Sequence, residues 1–174
     1  MLKETFLNNE HKNLGAKFTE FGGWNMPVMY TSIIEEHNAV RSKAGIFDTS
    51  HMGTFIISGS NSGKFLDYMT VSDISNLPLY KARYSMILNE KGGIKDDIIV
   101  YKFENYYMMV VNAGNLEKDF KWFNDNKIDN VDIKNLSSDI CLFALQGPDA
   151  VEMMSNLVSE NISDMKYYTG RDVA

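Results

Sequence analysis

Apolar and β-branched residues recur in short runs through the middle of the 174-residue chain, a pattern typical of strands. Three of these runs, 84–88, 97–103 and 106–111, follow one another closely. The turn segments 89–93 and 104–105 lie between them, and each contains asparagine, which favours turns. The spacing therefore predicts a three-stranded antiparallel meander.

Helical spacing of apolar residues precedes this region. Ser32 followed by Glu35 has the spacing of a capping box, and Gly45 supplies a stop signal. We therefore expect a helix over about 32–44. Its inward side would carry Ile33, His37, Val40 and Ala44.

Two more strands and three more helices complete the predicted elements. The strands are 54–58 and a buried run at 140–145. One short helix follows the loop 59–63, a second is capped by Asn115, and a third opens at 147–149. The predicted inward residues of these helices are, in order, Phe65, Leu66 and Met69; Leu116, Phe120 and Phe123; and Ala150, Met154, Leu157 and Val158.

Groups of strands interrupted by helices predict an α+β fold with mainly antiparallel sheet and packed helices. A doubly wound parallel fold would need a steadier alternation of single strands and helices. The sequence also lacks the glycine-rich patterns that bind dinucleotides or nucleotide phosphates. The fold class is therefore α+β, and a nucleotide-binding fold is disfavoured.

Composition narrows the classes of function. Apolar residues make up 44% of the chain, which is enough to bury a core. With 17 Lys and Arg against 23 Asp and Glu, the net charge of −6 argues against nucleic-acid binding. No apolar run reaches the roughly 20 residues of a membrane span, and the N-terminus lacks a signal-peptide pattern. The single cysteine excludes an internal disulfide, and the three histidines lack metal-ligand spacing. We therefore expect a cytoplasmic protein that binds no metal.

Two adjacent carboxylates, Asp96 and Asp97, open an apolar strand and form the first candidate site. Neighbouring strand residues point to opposite faces, so the two cannot act as a pair on one substrate. The inward one must be hydrogen-bonded or have a function, because an unpaired buried carboxylate is costly. It would bind or orient a cationic or N–H-bearing ligand. The alternative is that one Asp caps the preceding turn and the other is solvated.

Three further segments carry candidate chemistry. The segment 47–52 combines a carboxylate, hydroxyls and an imidazole, either as a nucleophilic site or as a hydrogen-bonded polar turn. At 110–115 a strand ends where a helix begins. The amide of Asn112 either donates to and accepts from a ligand there, or Asn112 is a turn residue and Asn115 a helix cap. The segment 21–30 has aromatic residues and glycines, either lining a pocket or forming a packed loop.

Six segments, taken together and in order, resemble the T-protein family of the glycine cleavage system, which are tetrahydrofolate-dependent aminomethyltransferases. The resemblance runs from about Leu7 to Tyr168. The matching segments are FGGWNMPVMY at 21–30, GIFDTSHMG at 45–53, YSMILNE at 84–90, GGIKDDIIVY at 92–101, VVNAGN at 110–115 and LQGP at 145–148.

The resemblance implies a site on the meander. The second Asp of the Gly-Gly…Asp-Asp motif is the family's key acidic residue, and here it is Asp97. This residue would be catalytic, orienting and activating tetrahydrofolate from within a pocket. Met52, Tyr84, Val110 and Asn112 match positions that line the folate pocket.

The implied reaction is transfer of an aminomethyl group from the lipoyl arm of the partner H-protein to the pterin nitrogen, with release of ammonia and formation of 5,10-methylenetetrahydrofolate. A fixed carboxylate would stabilise the positive charge that develops on nitrogen. No metal is required for this chemistry.

Family members are about twice as long as this chain. Residues 1–174 would be the N-terminal folate-binding region, with a similar second half and a C-terminal barrel absent. The chain would then act in a homodimer or with a complementing chain, and half of a shared core would expose apolar surface. The alternatives are a non-catalytic folate-binding module related to iron–sulfur cluster assembly factors, a demethylase-type relative, and an inactive fragment.

Overall fold

The computed structural model describes residues 1–173 and divides into two compact units. Unit 1 comprises Met1–His51, Cys141–Met165 and the described residues Asp172 and Val173. Unit 2 comprises Met52–Ile140 and Lys166–Arg171. Within the described residues, no helix has both the length and the apolar character needed to span a bilayer.

The secondary structure is a mixture of short helices and antiparallel strands. The strands are β1 Lys17–Phe21, β2 Trp24–Met29, β3 Gly45–Asp48, β4 Gly53–Ser58, β5 Ala82–Leu88, β6 Ile94–Lys102, β7 Tyr106–Val111, β8 Asp132–Asn135 and β9 Phe143–Gln146. The helices are α1 Asn8–Asn13, α2 Ile33–Ser42, α3 Ser62–Met69, α4 Leu116–Asp125, preceded by a 3-10 turn at Ala113–Asn115, and α5 Ala150–Ser155. The α+β prediction is confirmed.

Unit 2 is built on a five-stranded antiparallel sheet in the order β5-β6-β7-β4-β8. The predicted meander β5-β6-β7 is confirmed, although β6 begins at Ile94, three residues earlier than expected. The turn before β6 is closed by Asn89, whose Oδ1 accepts hydrogen bonds from Lys91 N and Gly93 N, both at 2.9 Å. The sequence did not predict β8, because only Ile133 of its four residues is buried and the strand therefore has no apolar run.

The core of unit 2 lies on one face of this sheet, under α3 and α4. The inward residues predicted for α3 are confirmed, since Phe65 and Leu66 are fully buried and Met69 nearly so. On the sheet, strand alternation directs Ile98 and Val100 into the same core. The other sheet face carries the remaining side chains of β5, β6 and β7.

Unit 1 contains two small sheets, β1-β2 and β3-β9. The segment 21–30, expected to be a loop, is instead largely strand β2 of a β1-β2 hairpin. Its turn uses Gly22 and Gly23, whose φ values of 58° and 86° favour glycine. The aromatic residues of this segment therefore lie on a β-hairpin and not on an irregular loop packed over the core.

The first predicted helix is confirmed as α2, and Ser32 Oγ accepts from Glu35 N at 3.1 Å. Its predicted inward face is wrong, since Ile33 is 63% exposed and His37 is also exposed. Apolar spacing identifies the apolar face of a helix, but a second element must cover that face to bury it.

The predictions for the C-terminal elements need similar correction. The expected buried strand 140–145 is β9, which starts at Phe143 and is only partly buried against β3. The last helix is α5, where Met154 is exposed, and Leu157 beyond it is 77% exposed. These apolar side chains agree with the expectation that the chain exposes apolar surface.

Candidate functional site on one face of the five-stranded sheet

Strand register places the predicted site residues in neighbouring rows across the sheet of unit 2. In the first row, Met86 pairs with Asp97. Ile98 pairs with Val111, so the next position along places Asp97 opposite Asn112. Gly53 also pairs with Val111, which puts Met52 at the other side of Asn112 by the same step. This row thus contains three of the five predicted residues, with Met86 as a fourth member.

The second row contains the other two predicted residues. Tyr84 pairs with Ile99, and Ile99 pairs with Val110. Residues two apart on a strand share a face, so Ile99 lies on the same face as Asp97. Tyr84, Asp97 and Val110 therefore lie on the sheet face opposite the core, where Ile99 and Val110 are half-buried, and Asn112 reaches Asp97 from the end of β7. Met52 directly precedes β4, beside them.

The carboxylate of Asp97 is held by two hydrogen bonds. Tyr84 Oη donates to Oδ2 at 3.1 Å, and Asn112 Nδ2 donates to Oδ1 at 3.0 Å. The hydrogen bond to Asp97 raises the pKa of Tyr84, with a smaller contribution from burial, so the phenol keeps its proton as a donor. Asp97 itself is exposed in this chain, where the resemblance implies a pocket around it. The hydrogen bonds therefore fix the orientation of the Asp97 carboxylate, but the described residues do not enclose it in a pocket.

The neighbouring Asp96 faces the opposite way, as alternation predicts, and is only 5% exposed. It accepts hydrogen bonds from Asn112 N at 3.2 Å, Asn112 Nδ2 at 3.0 Å and Asn115 Nδ2 at 2.5 Å. Burial raises the pKa of Asp96, but these bonds and one from Asp119 outweigh it, so the net pKa is lowered. Asp96 is therefore an ionised, buried carboxylate. The suggestion that one Asp caps the turn is wrong, because Asn89 does so.

Asn112 connects the two faces of the sheet. Its Nδ2 lies within hydrogen-bonding distance of both Asp96 Oδ1 and Asp97 Oδ1, at 3.0 Å each. Asn115 precedes α4 as expected, but its side chain makes no capping bond and donates to Asp96 instead. This buried network was not predicted from the sequence, although Asn115 and Asp119 have the four-residue spacing that places both on one helix face.

The segment 47–52 shows no nucleophilic site. In unit 1, Asp48 Oδ2 bonds His11 Nε2 at 2.9 Å, and Asp48 Oδ1 accepts from Ser50 N at 2.9 Å. Ser50 Oγ is occupied by the backbone of Leu142, while His51 Nδ1 is buried without a partner in the described chain. The alternative of a hydrogen-bonded polar turn is the one that the structure supports.

Unit 1 also has a groove of about 570 Å³ between β2, α2 and β3. Its walls include Pro27, Val40 and Phe47, so the segment 21–30 does line a cavity in part. Tyr30, at its rim, contacts His11 Nδ1 through its hydroxyl at 2.9 Å. This contact could not be predicted from local patterns, because Tyr30 and His11 lie 19 positions apart. Within residues 1–173, no group of three His, Cys, Asp or Glu side chains is arranged to hold a metal ion.

Comparison with known families decides the affiliation. The model of the GCVT N-terminal domain matches residues 7–174. The chain belongs to this family. Proteins named aminomethyltransferase from Flavobacterium psychrophilum and Thermotoga petrophila are each 46% identical to it, over 97% and 98% of the chain. Both alignments cover 47% of the relative, so the chain spans about half the length of the curated relatives it matches.

A solved structure supports the same family. The glycine cleavage system aminomethyltransferase T of Bartonella henselae superposes with a TM-score of 0.92 and 34% sequence identity. The match covers 98% of this chain and 47% of that protein. The recognised family and the α+β architecture with antiparallel sheets are thus confirmed, and the family's named members are enzymes.

Proposed function

We propose that this chain is the N-terminal folate-binding region of a tetrahydrofolate-dependent aminomethyltransferase of the glycine cleavage system. The observation that carries the proposal is the exposed carboxylate of Asp97, oriented by Tyr84 and Asn112 among half-buried apolar side chains. In this proposal Asp97 is the catalytic residue, and Met52 and Val110 complete the folate-binding surface.

The residues present fit a reduced pterin. Both oxygens of Asp97 keep acceptor capacity beyond the two bonds that they receive, because a carboxylate oxygen has two lone pairs. The N–H groups of a pterin are matching donors. Val110 and Ile99 offer apolar surface to a flat ring, and the amide of Asn112 lies beside them in the adjacent row.

Tetrahydrofolate would supply the nitrogen that accepts the one-carbon unit. Asp97 would hold a fixed negative charge where positive charge develops on nitrogen, and preorganised charge of this kind is a large catalytic term. Tyr84 and Asn112 would keep the carboxylate in one orientation, so that it need not reorganise during the reaction. The effect is far larger in a water-poor site than in water.

That requirement suggests a role for the part of the relatives that lies outside the match with this chain. In this chain Asp97 faces solvent, which screens its charge. We propose that the second half, a complementing chain or a second copy covers this face in the working enzyme. The lipoylated H-protein would then deliver the aminomethyl group to a closed site.

Tetrahydrofolate binding to the purified chain tests the first step. We expect measurable but weak binding by calorimetry, reduced at least tenfold in Asp97→Asn, which keeps the volume but loses the charge. Asp132→Asn is the matched control, because Asp132 is exposed at the far edge of the same sheet. Absence of binding at millimolar tetrahydrofolate would remove the folate proposal for this chain.

Ammonia release from aminomethylated H-protein tests the transferase step, with the chain alone and with the C-terminal half of a relative added. Binding without ammonia release in either mixture would favour the non-catalytic folate module. Release that is undiminished in Asp97→Ala would dismiss the catalytic role of this carboxylate.

A further inference from the structure

A second buried carboxylate lies against Asp96 on the core side of the sheet. Asp119, on α4, is completely buried. Neither of its oxygens receives a hydrogen bond from any N–H or hydroxyl group in the described part of the chain. Asp119 lies one helical turn beyond Asn115, whose Nδ2 donates to Asp96, and the carboxyl groups of Asp119 and Asp96 are close enough to influence each other's pKa. Both carboxyl groups are buried and two ionised carboxylates repel one another, so one member of the pair keeps its proton.

The surroundings place that proton on Asp119. Asp96 is surrounded by amide donors from Asn112 and Asn115, which favour its charged form. Asp119 has no such donors, and an ionised carboxylate buried in this way would be strongly disfavoured. Asp119 is therefore the donor and Asp96 the acceptor.

The nearby cations do not reverse this assignment. Lys118 Nζ lies 3.9 Å from Asp119 Oδ1, but it donates to Lys95 O at 2.7 Å and to Asn115 Oδ1 at 2.8 Å. Lys95 Nζ lies over the ring of Trp122, 4.3 Å from its centroid. Burial, followed by the contact with Asp96, raises the pKa of Asp119 to about 7 despite both lysines.

We propose that protonated Asp119 is a positioning residue, which donates to Asp96 and thereby fixes the Asn112 amide that orients Asp97. The consequence at Asp97 rests on the proposed function, whereas the shared proton does not. The connection runs from the core face to the exposed face, since Asn112 Nδ2 reaches both Asp96 and Asp97. A charge on Asp119 would repel Asp96 and release this amide.

Nuclear magnetic resonance of the full chain tests the proton directly. We expect the carboxyl carbon of Asp119 to titrate near neutral pH, and the side-chain amide signal of Asn112 to move with the same midpoint. Asp119→Asn keeps a donor but cannot ionise, so the Asn112 signal should become independent of pH. Asp125→Asn is the control on the same helix, because Asp125 is half exposed and paired with Lys121. The proposal would be overturned if Asp119 titrated in the usual range of a carboxyl group. It would also be overturned if the Asn112 amide signal did not change as Asp119 titrates.

Tetrahydrofolate binding then tests the link to Asp97. If binding requires the protonated pair, the dissociation constant of the wild type should rise by up to about tenfold for each pH unit above the midpoint. Asp119→Asn should remove this dependence, while Asp125→Asn keeps it. A dependence that survives in Asp119→Asn would refute the positioning role. If no tetrahydrofolate binds at any pH, the proposed function fails, whereas the shared proton is still decided by the resonance measurement.

Discussion

Replacing Asp119 by Asn should stabilise the chain, and increasingly so as the pH rises. The carboxyl of Asp119 has its pKa raised from an ordinary value of 3.8 to about 7, chiefly by burial. Between these two values the folded chain holds a proton that the unfolded chain releases. The free energy of unfolding therefore falls as pH increases through this range, by about 1.36 kcal/mol per pH unit for one proton.

The magnitude follows from that slope. The penalty is absent below about pH 4, grows up to about pH 7 and stays constant above it, reaching at most about 4 kcal/mol. Asp119→Asn has no titrating group at this position and keeps an amide donor for Asp96. Between pH 5 and pH 8, the difference in free energy of unfolding between the variant and the wild type should grow by roughly 3 kcal/mol in favour of the variant.

Urea denaturation followed by circular dichroism at several pH values measures this difference. Effects of distant titrating groups cancel between the two proteins. Asp96 is coupled to Asp119, but its lowered pKa keeps it ionised in the folded chain throughout this pH range. Asp125→Asn should show no such trend, because its carboxylate is half exposed. A difference that is constant with pH, or that shrinks toward pH 8, would refute the buried neutral carboxyl.

Two further substitutions test the fold. Ser32→Ala removes the acceptor for Glu35 N and should cost about 1 kcal/mol of unfolding free energy, which Ser32→Asp should largely retain. Gly59→Ala should cost at least about 1 kcal/mol, because φ is 104° there and a Cβ would meet the carbonyl of Asn130. Thermal or urea unfolding measures both, and unchanged stability in either variant would contradict the corresponding argument.

The meander was predictable because its determinants are local. The two-residue period of β6 separates Asp97 and Ile99 from Ile98 and Val100, and a turn closed by Asn89 sets the register with β5. The opposite directions of Asp96 and Asp97 follow from the same period. Local patterns therefore predicted which residues share a face.

What those patterns could not predict is which faces are covered. The apolar side of α2 has helical spacing, yet Ile33 remains 63% exposed, and Leu157 beyond α5 is 77% exposed. Burial depends on a partner surface, and the relatives that this chain matches are about twice as long. The contact between Asp96 and Asp119 was missed for a related reason, since it joins a strand and a helix through tertiary packing.

The proposed site separates two requirements of electrostatic catalysis, orientation of a charge and exclusion of water. Orientation is supplied within unit 2, because Tyr84 and Asn112 hold Asp97 from two sides and Asp96 anchors Asn112 from the core. Unit 2 does not by itself exclude water from the site, because Asp97 is exposed. A charge that is oriented but solvated stabilises a developing cation only weakly. Covering this face should therefore raise the activity far more than it alters the geometry of Asp97, since the hydrogen bonds that fix the carboxylate are already made.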